Sequence, residues 1–434
     1  MKTPDNNPNL CLAPWKHTFI SPQGERRMCC ASREASQHVK QYIDKNDIEL
    51  NAKEFKPKPL EEHWNSEHMK GVRKRMMNGE TLPECEVCNH RILNHDVYRS
   101  YFNHLFGSHR DSILAQTAED GTYLPLPTSF DYRFTNLCNF KCRMCGPQLS
   151  SAWTAEGVRN HNQDAIDTAY WKTVTKWFFE NHVEPEFLAA IEEKRIEEIY
   201  WVGGEPLLWD IHWKSMKRIH ELDLGKQIYI RYNTNLSHIF FNGNSLFGLL
   251  QDVRDWEICA SIDGTGKIGE YIRTGLDYKS WRKHYQRGLE SQKKPTQMRL
   301  DFTLTLPGMF DIENMVALSQ ETNTQLLTKL VYAFDPSIVM SPMALPREIL
   351  NRLVDERLSK VDSHWMRTPL VKTLESLKTR KTFEEEWPDR YHDGLKNGKR
   401  RLLHLESIRK FEQPITMQEI LGMDPQVLQW WNSI

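Results

Sequence analysis

From Ser129 onward the chain repeats one pattern six times, a short β-branched or aromatic run that ends near Gly, Asn, Asp or Pro. The runs SFDYRFTN, IEEIYWVGG, QIYIRYNTN, WEICASIDG, MRLDFTLTL and LTKLVYAFDP each read as a strand. Among the segments that separate them, IHWKSMKRIHEL and MVALSQETN carry apolar residues three and four apart, the spacing of a helix with one buried face. Strands that alternate with helices pair in parallel, because each crossover returns the chain to the same end of the sheet. The expected fold class is therefore α/β, a parallel sheet or barrel with its chemistry at the C-terminal strand ends.

Four motifs fall at those ends. CNFKCRMC (138–145) follows the first strand, GGEP (203–206) ends the second, YNTN (232–235) the third and SIDG (261–264) the fourth. A helical insertion rich in Trp and Phe, about 151–194, separates the first two strands and reads as extra packing. Residues 1–110 differ in composition: five cysteines, few long apolar runs, and one amphipathic helix in SEHMKGVRKRMMNGE. There Ser66 is the expected N-cap, Met69, Val72 and Met76 the buried stripe, and Gly79 the stop. A segment so short of apolar strands is expected to need a metal to fold. Residues 341–434 read as a helical, charge-rich extension that ends in LQWWNSI.

Lys+Arg 57 against Asp+Glu 58 leaves a formal charge of −1, so nothing global points to a nucleic-acid partner. No stretch approaches the ~20 apolar residues of a membrane span, and a soluble, cytoplasmic protein with no membrane partner is expected. Eight of the nine cysteines gather at Cys11, Cys29, Cys30, Cys85, Cys88, Cys138, Cys142 and Cys145, which favours metal or redox chemistry over disulfides.

Three cysteines within eight residues are not accidental: at this cysteine frequency the spacing is expected by chance roughly 0.004 times in such a chain. Thiolates are the preferred ligands of iron–sulfur clusters, and a four-iron cubane held by three leaves one iron open to a small molecule. A zinc site completed by a distant His or Cys is the alternative. CNFKCRMC resembles the CxxxCxΦC motif of the radical S-adenosylmethionine enzymes, with Met144 as the hydrophobic residue.

The resemblance implies a partial (β/α)6 TIM-like barrel over about 128–340. It also implies a four-iron, four-sulfur cluster on Cys138, Cys142 and Cys145, with S-adenosylmethionine chelated to the open iron. Reductive cleavage would then release methionine and a 5′-deoxyadenosyl radical that abstracts hydrogen from a substrate. Residue by residue it implies Gly203, Gly204 and Glu205 on the methionine amino group, Ser261 and Asp263 on the ribose or carboxylate, and Arg273 on the carboxylate. Asn235 falls where the family has a turn near the cofactor, although capping of the next helix explains a strand-end Asn equally well. The adenine would lie near strands five and six, by Val331 and Tyr332.

In the front segment, Gly24 precedes Cys29 by five positions, and CEVC supplies Cys85 and Cys88. With Cys11 this resembles the SPASM and twitch modules that carry auxiliary four-iron clusters in radical S-adenosylmethionine enzymes, although those modules normally follow the barrel. The resemblance implies an auxiliary cluster on Cys11, Cys29, Cys85 and Cys88, with Cys30 an alternative to Cys29, and His17 and His90 as alternative ligands. A zinc ribbon from the same thiols stays open.

Cys259 in the fourth strand reads as a small buried apolar residue, with hydrogen-atom donation to a substrate radical the functional alternative. Lys396–Arg401 is the one basic block and reads as a solvated helix end. A peptide or small-molecule substrate and a flavodoxin-type reductase as electron donor are the partners the resemblance implies. Peptide or protein modification is the family's prior, with a sugar, nucleoside or nucleic-acid substrate as one alternative and a non-catalytic zinc or iron–sulfur binding or electron-transfer protein as the other.

Overall fold

The computed structural model describes residues 7–33, 60–91 and 98–434. The strands that position the sites are, in chain order, β1 (His17–Ile20), β2 (Arg26–Arg27), β3 (Ser129–Tyr132), β4 (Lys141–Cys142), β5 (Glu198–Trp201), β6 (Tyr229–Thr234), β7 (Asp255–Ser261), β8 (Arg273–Thr274), β9 (Met298–Leu304) and β10 (Gln325–Leu330). The helices that matter are α1 (Glu67–Met77), α2 (Tyr98–Phe106), α3 (Ser151–Arg159), α4 (Asp210–Glu221), α5 (Gly266–Ile272) and α6 (Pro388–Ile408). All six runs read as strands from the sequence contain one, namely β3, β5, β6, β7, β9 and β10. The fold is α/β with parallel pairing, as the alternation requires.

The chain divides into two compact units. The first comprises 1–136, 157–231 and 252–255. Here β5, β3 and β1 pair in parallel in that order and β2 closes the row antiparallel to β1. β1 was not foreseen. HTFI is only four residues long, but all four are buried, and His17 stands opposite Ser129 in β3. A run that short lies below what periodicity detects. The front segment thus contributes a strand as well as cysteines. α1 forms as its sequence predicts: the Ser66 hydroxyl accepts from Met69 N–H, Met69, Val72 and Met76 are buried, and Gly79 takes φ +77° past the end.

The second unit comprises 137–156, 232–251 and 256–434. β7, β9 and β10 are parallel, with Ser261 opposite Asp301 and Asp301 opposite Leu327. β4 and β8 form a short antiparallel pair in which Cys142 faces Arg273. The extension past residue 341 is helical, and one buried ion-pair group ties it to the cysteine loop. Glu156 at the end of α3's buried side receives Arg409 Nη2 at 2.6 Å and Lys141 Nζ at 2.8 Å, while Arg409 Nη1 donates to the Lys141 carbonyl at 2.8 Å. Burial alone would raise the Glu156 carboxyl, but the two cations hold it below its ordinary range. No helix among the described residues is long and apolar enough to cross a membrane.

Candidate functional site

The three cysteines of the second unit lie on the loop from Leu137 to Gly146, and all are half-buried. The loop is fixed from several sides. Ser150 Oγ donates to Phe140 O at 2.6 Å, Trp153 Nε1 to Cys142 O at 2.9 Å, and the Ser151 hydroxyl to Cys138 O at 3.1 Å. Gly275 closes the turn after β8 at φ +108°, where a Cβ would come within 3.0 Å of the Phe140 ring and 3.1 Å of Asn139 O. Only glycine suits that left-handed, crowded position. Met144 is half-buried beside the thiols.

Three strand-end residues named from the sequence converge on this loop. Arg273 Nη1 lies 3.9 Å from Cys142 Sγ, its Nε 2.6 Å from Asp263 Oδ2, and its Nη2 donates to Asp263 Oδ1 at 3.0 Å. Asp263, fully buried, also accepts Thr303 N–H at 2.9 Å. Burial opposes the Arg273 charge, but Asp263 outweighs it and keeps the guanidinium protonated. Asn235 Nδ2 donates to Asn139 Oδ1 at 3.0 Å and stands 3.9 Å from Cys138 Sγ. Burial pushes the thiols of Cys142 and Cys145 up, which favours their protonated forms, and Arg273 is the cation that offsets part of that shift in both. Ser261 sits half-buried at the end of β7 opposite Asp301.

Sequence reasoning missed a group on the same strand ends. Asp301 of β9 holds Lys329 Nζ at 2.8 Å and accepts from Asn233 Nδ2 at 2.7 Å. Its signal was available: a charged residue inside MRLDFTLTL, on the half-polar face with Arg299 and Thr303. Cys259 is buried, with Sγ 3.3 Å from Glu257 Oε1, and burial drives its thiol well above the ordinary value. Val331 is buried, whereas Tyr332 donates its hydroxyl to Glu386 and packs on Phe383 and Trp387 of the helical extension. That contact turns the ring to the extension, a partner the sequence did not reveal.

Gly203, Gly204 and Glu205 belong to the first unit. Gly203 takes φ +118°, and a Cβ there would meet Arg133 Cβ at 3.1 Å and the Trp209 ring at 3.2 Å. Glu205 is fully buried, and its Oε1 accepts Leu207 N–H at 3.0 Å, capping the turn that leads into α4.

Also in the first unit, Cys11, Cys29, Cys85 and Cys88 line one cavity of about 20 Å³, together with Met28, Met76, Arg99 and Phe102. Cys30 is not in that lining; it hydrogen-bonds Tyr98 and feels Asp131 and Arg133. Successive residues at 29 and 30 point apart, so one of the pair faces the cavity. Burial raises the thiols of Cys11 and Cys85 to about 12 and about 11, against the pull of backbone N–H groups and Arg99. Four thiols thus meet at one largely apolar cavity that also holds the Arg99 guanidinium, the Glu84 carboxylate and the Ser32 and Tyr98 hydroxyls, a thiol count that matches the four ligands of a closed four-iron cluster. His17, by contrast, is engaged elsewhere, its Nδ1 2.6 Å from Ser129 Oγ. The side chain of His90 lies outside the described residues.

Residues 11–89 match the family model of SPASM, an iron–sulfur cluster-binding domain. No curated protein matches the chain. Among solved structures, the S-adenosylmethionine-bound SuiB of Streptococcus suis shares 14% identity over 74% of this chain and 70% of its own, with TM-score 0.35. SuiB bound to its precursor peptide SuiA shares 12% over 75% and 71%, with TM-score 0.33. TYW1 with a lysine–pyruvate adduct shares 14% over 52% and 70%, with TM-score 0.27. These are loose likenesses. Residues 11–89 thus carry an iron–sulfur cluster-binding SPASM module, which here precedes the CxxxCxΦC trio in the sequence.

Proposed function

We propose that the protein reductively cleaves S-adenosylmethionine at a cluster on Cys138, Cys142 and Cys145 and uses the resulting radical to abstract hydrogen from a peptide or protein side chain. The observation that carries this reading is the convergence of three thiols, Arg273 at 3.9 Å from Cys142 Sγ, and Asn235 at 3.9 Å from Cys138 Sγ, on one braced loop. When bound, a four-iron, four-sulfur cluster supplies the electron and the open iron for cofactor chelation.

The chain's own residues bind, orient and screen. Arg273, kept charged by Asp263, supplies the cation for the methionine carboxylate, and the Asn235 amide lies against the loop. Ser261 is a hydroxyl available to the ribose at the end of β7. Gly203 and Gly204 are the residues read for the methionine amino group, with Glu205 fixing their turn through Leu207 N–H. Cys11, Cys29, Cys85 and Cys88 are the proposed holders of the auxiliary cluster. The domains follow as a front iron–sulfur module over 1–110, the radical S-adenosylmethionine domain over 128–340, and the extension over 341–434. The peptide class rests on the module's family, whose members most often modify peptides; the electron donor is read as a flavodoxin-type protein of the cytoplasm.

Anaerobically reconstituted protein, given dithionite and S-adenosylmethionine, is expected to release 5′-deoxyadenosine, and Cys138→Ala to release none. Undiminished nucleoside from that variant would sink the open-iron reading.

A further inference from the structure

Arg99, on α2, is 5% exposed and belongs to the wall of the cavity that Cys11, Cys29, Cys85 and Cys88 share. One turn further along, α2 is clamped to the segment that carries Cys11: Asn103 Oδ1 accepts Leu12 N–H at 2.9 Å, and Asn103 Nδ2 donates to Leu10 O at 2.8 Å. The guanidinium is fixed as firmly. Its Nη1 donates to Pro8 O at 2.9 Å and its Nη2 to Asn89 Oδ1 at 2.9 Å, while Asn89 Nδ2 is anchored on Leu82 O at 3.0 Å. Both acceptors are neutral.

What this cation lacks is an anion. Among the described residues no carboxylate pairs with Arg99, and its buried Nε finds no acceptor. Glu84, the carboxylate in the cavity wall, is taken by Arg75 at 2.8 Å. The charge of Arg99 instead reaches two of the thiols: it pulls Cys85 down by contact and by charge, and Cys11 by charge. A cation buried without a counter-charge is strongly unfavourable, and neutral thiols do not supply one. Four thiolates around a metal core do.

We propose that Arg99 is the counter-ion of the auxiliary cluster and sets the potential at which that cluster is reduced. The inference rests on the reading that Cys11, Cys29, Cys85 and Cys88 hold it. Four thiolates around a four-iron core leave a net negative charge that grows by one on reduction, so a fixed cation in the wall favours the reduced state. Burial magnifies the effect, because little water screens the pair. One electron enters, no bond is made or broken and no proton is required. Arg99 is thus a positioning charge and not a ligand, and Nε–H is the donor it has to offer a sulfur.

Replacing Cys138, Cys142 and Cys145 by alanine in the full chain leaves the front cluster as the one expected iron site. Its midpoint is read anaerobically, by dithionite titration with redox mediators and low-temperature electron paramagnetic resonance. In that background Arg99→Gln is expected to shift the equilibrium tenfold or more against reduction, about 59 mV downward for one electron, and Arg99→Lys to restore most of it. Asn89→Asp gives the guanidinium a carboxylate of its own and keeps an acceptor at that position. It should move the midpoint in the same direction, and it serves where Arg99→Gln folds poorly. A residue that only ties Pro8 to Asn89 would lose iron or soluble yield on substitution and leave the midpoint of the remaining cluster where it was. An unmoved midpoint at full iron in Arg99→Gln, or an Asn89→Asp midpoint equal to its parent's, overturns the counter-ion role alone. Iron absent from the background, or replaced by zinc, overturns the ligand reading and the counter-ion role with it, so the two failures are distinguishable.

Discussion

Arg273 and Cys142 stand opposite each other across the β4–β8 pair, with Nη1 3.9 Å from Sγ, while the remainder of the guanidinium is held by buried Asp263. One cation thus serves the thiol loop and a carboxylate at once. Arg273→Ala is expected to weaken S-adenosylmethionine binding by about ten- to a hundredfold, the ~1.5–3 kcal/mol of a hydrogen bond to a charged group. It should also destabilise the fold by ~3–5 kcal/mol, because Asp263 is left as an unpaired buried carboxylate. Adding Asp263→Asn should return part of the stability and none of the affinity, as a cofactor titration and a urea melt on the same samples would reveal.

The two adjacent cysteines of the front segment should behave differently. Cys29→Ala and Cys85→Ala are expected to lower iron and sulfide content while the trio's cluster stays detectable, whereas Cys30→Ala should keep full iron, since Cys30 is not among the residues that line the cavity. Elemental analysis decides it, and full iron in Cys85→Ala would remove that residue from the ligand set.

Much of this was legible from residue order alone. The six strands stood out because β-branched runs alternate with turn residues, and α1 because Ser66, a three-residue apolar stripe and Gly79 mark its ends. The cysteine trio was legible because spacing is a local property. β1 was not, because four residues carry too little periodicity, and neither was the bracing of the trio by Arg409, 268 residues from the carbonyl it holds. Nor did the order of residues say which of Cys29 and Cys30 faces inward, for that depends on Tyr98 and on the cavity's other walls.

Acid should loosen the first unit through two buried histidines. Burial lowers His17 to about 4 and His212 to about 3, below their unfolded value near 6.5, so the unfolded chain binds more protons. Stability is therefore complete above pH ~6.5 and falls as pH drops toward those values, by up to about 1.4 kcal/mol per pH unit for each histidine. His212→Gln should flatten the pH dependence of the denaturation midpoint across that window; an unchanged slope would assign it to other groups.

Arg409→Met removes a buried cation from Glu156 and should cost ~3–5 kcal/mol. The same change frees the Lys141 carbonyl beside Cys142, so the cluster should be lost faster on exposure to chelator than in wild type. Equal chelator rates at equal folded fraction would make Arg409 a purely structural residue.

The pairing of β1 with β3 also carries a cost in time. His17 and Ser129 are 112 residues apart, so at ~5–20 residues per second a ribosome presents the first strand roughly 5 to 20 seconds before its partner exists. During that interval the edge of β1 is open to any other nascent chain, and the segment bearing Cys11 and Cys29 waits beside it. The four cysteines that line the front cavity are all made before β3, so the module's thiols are complete while its sheet still lacks the strand that covers β1.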